Sequence, residues 1–354
     1  MILVHPKASE PRATTRMGVP AQKKAGRPLA FSLACRLLLV AAFLPGLDRV
    51  GAQTSPTLPP PEVVQYKSFE NETLSLFAWQ GRKVAFLTES KDLDPEAMAR
   101  LCHTFDQVYD FYQKATGQEP ARAKHLAGRI TVAEVKKTCG AGCGYLGATG
   151  IELMPDCFRT LYEGVLRQNV YDQALPYEFG RNFWFYSPQL AYHKDADAGS
   201  IVTGYAVFMR FLALDAAGAK LGPFRDRSGD DFRRELQKLV DLYLADPAFR
   251  WENTLKIGAA PPNPMGLNGT DLFAAFCFRL CRDHGGTAFA EKLWREAGQR
   301  PPAKTTPEAI DNFVIAASLA ARQDLTQLFQ KDWRWPVSDH ARQEVARLLA
   351  DKKP

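Results

Sequence analysis

The pattern of apolar residues changes character once along this chain, and that change restricts the fold more than any other feature. Over residues 63–88 apolar and polar positions alternate: Leu74, Leu76 and Ala78 share a face, Gln80-Gly81 marks a turn, and a short apolar run follows over 84–87. This is the period of strands. A helix opens at Asp94-Pro95-Glu96, with Pro in its first turn, and runs to about Gly117. Further strands are expected at 129–135 and 150–154. After Pro155 helical spacing takes over, with helices expected near 156–169, 172–186, 200–217, 229–245, 270–283, 287–297, 307–322 and 338–350. No internal repeat is evident. Strands early and helices late predict the α+β class: a mixed-sheet subdomain over 62–155, a mainly helical one over 156–354, and a cleft between them.

The first 52 residues read as an export leader. Lys23, Lys24 and Arg27 precede an apolar run over 29–47 that is broken by Arg36, and Val50-Gly51-Ala52 supplies small residues for cleavage. Met17 is an alternative start. The run after Arg36 is shorter than the roughly 20 residues needed to span a bilayer, and no later segment is expected to span. Residues 53–61, ending in three prolines, form a stiff linker. The expected location is therefore outside the cell or in the periplasm or envelope.

Charge narrows the partners. Of 45 Lys+Arg and 39 Asp+Glu, eight and two lie in residues 1–52, so the rest of the chain is balanced. A basic face for nucleic acid is not indicated. With 46% hydrophobic residues the chain is globular rather than disordered.

Beyond Cys35 there are six cysteines: Cys102, Cys139, Cys143, Cys157, Cys277 and Cys281. In an exported chain an even number favours disulfides, with fifteen connectivities open. Cys139 and Cys143 flank a Gly-Ala-Gly turn, whereas Cys277 and Cys281 are i,i+4 on a helix. Neither spacing is that of a CxxC zinc site.

The most informative segment is Tyr177-Glu178-Phe179-Gly180-Arg181-Asn182-Phe183-Trp184. Positions 177 and 181 share a helical face with Glu178 beside them, the geometry of H-E-x-x-H with both histidines replaced. Glu-Phe-Gly-Arg-Asn-Phe-Trp resembles the E-x-G-H-N-x-x extension of gluzincin-clan zinc peptidases, the M60-like and basic-secretory-protein-like families. In these a third ligand, a Glu, follows in a motif resembling E-G-x-A-D-Y-x-R. Here Thr203-Gly204-Tyr205-Ala206-Val207-Phe208-Met209-Arg210 matches at Gly, Ala, the aromatic and Arg. The ending Asp324-Leu325-Thr326 through Trp333-Arg334-Trp335-Pro336-Val337-Ser338 resembles D-L-T…W-x-W-P-[VL]-S of M60-like proteins. The resemblance covers about residues 130–345 and implies a zincin-like fold, with 147–153 resembling the edge strand that lies over the cleft.

It also implies that all three zinc positions are substituted. A Tyr at 177 binds metal only as phenolate, an Arg at 181 has no lone pair, and a Thr at 203 is a poor neutral ligand. No catalytic zinc and no other cofactor is expected. Glu178 remains as a remnant general base, and Tyr177, Arg181, Asn182, Thr203 and Tyr205 are the candidate binding residues. His193, Asp195 and Asp197 offer a displaced metal site, although Asp197 reads more simply as a cap for the helix near Ser200. Three functions are consistent with this: an exported pseudopeptidase binding peptide or glycan in the inherited cleft, a hydrolase using Glu178 and Arg181 without zinc, and a structural envelope module whose cleft is filled by Tyr177 and Trp184.

Overall fold

The computed structural model describes residues 57–224 and 226–351. The expected leader and the start of the linker lie outside the described residues. In chain order the elements are β1 (Glu62–Lys67), β2 (Thr73–Gln80), β3 (Val84–Thr88), α1 (Pro95–Thr116), β4 (His125–Leu126), β5 (Arg129–Glu134), β6 (Gly142–Gly144) and β7 (Ile151–Leu153). These are followed by α2 (Pro155–Gln168), β8 (Val170–Tyr171), α3 (Ala174–Asn182), α4 (Ser187–Leu190), α5 (Gly199–Ala216), β9 (Lys220–Leu221), α6 (Gly229–Ala245), α7 (Gly269–His284), α8 (Thr287–Gly298), α9 (Thr306–Ala321) and α10 (Asp339–Asp351).

The protein is α+β, with the sheet built early and helices following. The sheet has the order β1-β2-β3-β5-β7-β6, with β4 pairing β5. The pairs β1–β2, β2–β3 and β6–β7 are antiparallel, whereas β3–β5 and β5–β7 are parallel. The edge strand next to the helices is therefore β6. The expectation that residues 147–153 form that edge is corrected: β7 sits inside the sheet, between β5 and β6. The sequence hides β6 because a Gly-Cys-Gly strand has no apolar alternation, and only pairing with β7 defines it.

Helix α1 starts as the sequence predicts, with Asp94 Oδ1 accepting from Ala97 N–H at 2.7 Å and Pro95 in the first turn; it ends at Gly117, φ 72°. It lies on one face of the sheet, and α3 packs against it. Phe105 meets Phe86 of β3 at 5.8 Å between ring centroids and stacks on Phe179 of α3 at 5.7 Å. Tyr112 stacks on Phe183 and donates its hydroxyl to the Pro176 carbonyl at 2.8 Å. Phe179 and Phe183 are fully buried, each contributing on the order of 2 kcal/mol of apolar burial. The other face of the sheet keeps a small cluster of its own, Tyr66, Leu76, Ala78, Ala85, Leu87, Ala133 and Val135.

Helix α5 runs through the middle of the helical part. It is long and apolar enough to cross a membrane by length and composition, although no later segment is expected to span from the sequence. Yet 72% of that stretch is buried, and it packs between α3 and α7 as a core helix. Two glycines let it do so. A Cβ at Gly180 would stand 2.9 Å from Ala206 Cα, and one at Gly204 would stand 2.7 Å from Phe273 Cδ1 and 2.8 Å from the Thr270 carbonyl. The Trp-x-Trp ending is also core: Trp333 and Trp335 are buried beside Phe276 and Phe329.

The described cysteines form one disulfide, Cys139–Cys143. Cys102, Cys157, Cys277 and Cys281 are free, and three of these are buried. The expectation from an even count holds for the short loop and not for the rest, because buried cysteines serve here as small apolar side chains.

Candidate functional site

The site forms where α3 passes beneath the edge strand β6. Tyr177 and Arg181 lie one turn apart on α3 and Thr203 lies in the first turns of α5; all three are half-buried. The Tyr177 phenol lies near the side chains of both Thr203 and Arg181. The three positions singled out as former metal ligands therefore meet in space. Burial, reinforced by the Glu178 charge, pushes the Tyr177 phenol up and keeps it protonated.

Glu178 points into the contact with β6 and is 6% exposed. A Cβ at Gly142 would approach Glu178 Cγ at 3.4 Å, and one at Gly144 would approach its Oε2 at 3.1 Å and its backbone carbonyl at 2.8 Å. Bare backbone at 142 and 144 is what lets the strand lie on the helix. Arg181 Nε donates to the Gly144 carbonyl at 3.1 Å and forms an ion pair with Glu178 Oε2 at 3.4 Å. That oxygen has no well-formed hydrogen bond. Burial is the main influence on the Glu178 carboxyl and pushes it up to about 7, against the opposing pull of Arg181 and the Gly144 N–H. Cys157 of α2 is close enough that Glu178, after burial and Asp172, helps raise its thiol to about 12.

Asn182 and Tyr205 are buried in the core. Asn182 is fully buried and its Nδ2 donates to the carbonyls of Tyr145 (2.9 Å) and Gly150 (3.2 Å), tying α3 to the loop between β6 and β7. Tyr205 is fully buried in a ring cluster with Trp184, Tyr186 and Trp294, and donates to the Phe183 carbonyl. The Asn182 amide nitrogen and the Tyr205 hydroxyl are turned to backbone, whereas Asn182 Oδ1 is buried without a hydrogen-bond partner. The acids of the following loop are structural as well. Asp197 accepts from Gly199 N–H and the Ser200 hydroxyl at the start of α5, and Asp195 accepts from the Thr306 hydroxyl at the start of α9.

Behind α3, Arg210 is buried with its guanidinium over Phe211, Phe224 and Phe232; burial pushes it down to about 10. On the far face of the sheet a second buried carboxylate, Glu152, accepts from the Tyr66 hydroxyl and the Phe69 N–H. It pairs across the ladder with Cys143, and holds the turn between β1 and β2. Glu152, Gly142 and Gly144 do not stand out in the sequence; the Gly-x-Gly pair beside a cysteine is the available signal for the last two.

The donor set does not fit zinc. A protonated phenol, a guanidinium and a neutral hydroxyl offer no anionic or imidazole ligand, and a guanidinium repels a dication. Among the described residues no group of three or more His, Cys, Asp or Glu side chains is placed to hold a metal ion.

No family model matches the chain, and no curated protein matches it. Solved structures do. A functionally unknown conserved protein from Bacillus anthracis str. Ames matches with a TM-score of 0.53 at 14% identity, over 77% of this chain and 51% of that one. The likeness is one of fold. The ZmpB metallopeptidase from Clostridium perfringens gives 0.46 at 13% identity, over 79% and 50%. The M60 catalytic domain of ZmpC from the same organism, in complex with the sialyl T antigen, gives 0.48 at 14% identity, over 79% and 50%. The chain thus spans about half the length of the structures it matches.

Proposed function

We propose that this chain is an exported pseudopeptidase: a zincin-like frame that carries no catalytic zinc and binds peptide or glycan in the groove between β6 and α3. One observation carries the reading. Tyr177 and Arg181 of α3 lie one turn apart, Thr203 of α5 is near the Tyr177 phenol, and these are the positions at which two of the sequence motifs call for metal ligands. Arg181 and its ion pair with Glu178 supply fixed charge at that place, so the frame holds together there without a metal.

The test is to restore the ligands. The triple variant Tyr177→His, Arg181→His, Thr203→Glu is expected to take up about one zinc per chain, measured by elemental mass spectrometry on protein purified without chelators. The unaltered chain is expected to take none. Stoichiometric zinc in the unaltered chain, or peptide hydrolysis abolished by EDTA, overturns the reading.

A second reading, hydrolysis without zinc, is favoured by the carboxyl of Glu178 near 7 beside a cation, a pairing suited to general acid–base work. It requires that Glu178→Gln abolish an activity while leaving the fold intact.

A further inference from the structure

Strand β6 ends the sheet, and an edge strand presents unpaired backbone groups to any extended chain that can reach them. Its hydrogen bonds to the β7 side are made by Ala141, whose carbonyl accepts from Met154 N–H, and by Tyr145, whose N–H donates to Gly150. Antiparallel ladders alternate, so Gly142 and Gly144 turn their N–H and C=O groups outward, away from β7. On that outer side the Gly144 carbonyl is held by Arg181 Nε at 3.1 Å.

We propose that Arg181 is a built-in plug on the edge of β6: its guanidinium takes the backbone acceptor that an extended peptide would use, and the groove admits such a peptide when Arg181 is displaced. The inference rests on the reading of this groove as a binding site and names what regulates it.

The plug is removable. The Arg181 side chain is 27% exposed, whereas that of Glu178 is 8% exposed. Arg181 is held by one hydrogen bond to backbone and one ion pair at 3.4 Å, so it can swing toward solvent while Glu178 stays behind. What stays behind selects the partner. With Arg181 gone, a buried carboxyl whose Oε2 lacks a hydrogen bond is left without its cation, and a buried unpaired charge is costly. The fitting partner is therefore an extended peptide that brings a Lys or Arg of its own to that position. Side chains of such a peptide meet no obstruction from Gly142 and Gly144.

The experiment titrates full-length chain, labelled at glycine, with an acetylated and amidated Thr-Val-Lys-Val-Thr peptide and its Ser-centred counterpart, following the amide signals of Gly142 and Gly144. Arg181→Met is expected to bind the Lys peptide about tenfold more tightly than the unaltered chain, the scale of freeing one charge-assisted hydrogen bond. It is also expected to prefer Lys over Ser. Equal affinity of the two proteins, or binding by neither, overturns the plug. Should Arg181→Met fail to fold, the neutral double variant Glu178→Gln, Arg181→Met still tests the plug: it is expected to bind both peptides more tightly than the unaltered chain with no preference for Lys, and no gain over the unaltered chain overturns the plug. Zinc uptake by the ligand-restored variant without any gain in peptide binding would refute the plug and leave the pseudopeptidase reading standing.

Discussion

Helix α3 has two sides with different histories of constraint written in their chemistry. The side toward α1 and α5 is packed to contact: Phe179 and Phe183 fill it, and Gly180 leaves no space for a methyl group against Ala206. The side toward β6 carries Tyr177, Glu178 and Arg181, with an ion pair between the last two, a hydrogen bond from Arg181 to the Gly144 carbonyl, and Arg181 partly open to solvent. Among the matched residues, Gly180, Gly204 and Ala206 sit in the close helix crossings, whereas Tyr177, Arg181 and Thr203, at the substituted ligand positions, are half-buried. Packing admits few alternatives at a close helix crossing; a metal site can be replaced by any group that satisfies the same charges. The resemblance thus reports how α3 and α5 fit together, and says less about what they do.

Three measurements bear on that contrast, in descending order of effect. The largest concerns Glu178 and pH. Its carboxyl is raised in the folded state, so the folded protein holds the proton more tightly than the unfolded chain, and stability falls as pH rises from about 4.5 through about 7. Glu178→Gln removes that loss. Urea unfolding is expected to show the variant gaining on the unaltered chain by on the order of 3 kcal/mol between acid and alkaline pH, since each tenfold difference in proton affinity between the folded and unfolded chains is worth about 1.4 kcal/mol. Parallel pH profiles for the two proteins would mean that the open side is not under electrostatic strain.

Next is the packed side. Gly180→Ala places a methyl group against Ala206 and the Tyr112 hydroxyl, and is expected to cost about 2 kcal/mol in the same assay. A neutral result would erase the difference between the two sides of the helix.

The smallest is the disulfide. Cys139–Cys143 closes a short loop that runs into β6, and for a loop of this length the chain-entropy contribution is at most about 2 kcal/mol. Replacing both cysteines by Ser is expected to lower global stability by less than that, while amide exchange at Gly142 and Gly144 speeds up more than at Phe179. Equal acceleration at all three would show that the edge strand is not independently clamped.

Much of the architecture was legible because it is written in local pattern. Asp94-Pro95 starts α1 and Gly117 stops it, and the long helices after Pro155 fall close to their expected ranges except one: the helix expected over 172–186 is only Ala174–Asn182, with a turn before α4. The site was legible in part. Tyr177 and Arg181 are neighbours by helical spacing alone, but Thr203 joins them only through the crossing of α3 and α5, which the motif resemblance supplied. Exposure was not legible: Tyr205 and Asn182 have the chemistry of binding residues and the environment of core. Strand β6 was invisible because glycines at 142 and 144 carry no pattern, although they set the distance between sheet and helix.

Helix α5 has a meaning for the chain before it is folded. Its eighteen residues from Gly199 to Ala216 are safe in water only once α3 and α7 have closed over them. Until then they expose an apolar stretch that other unfinished chains would stick to. Docking of α7 through Gly204 is therefore a kinetic safeguard as well as a packing contact, and a chain slow to make it would be lost to aggregation whatever the stability of its finished form.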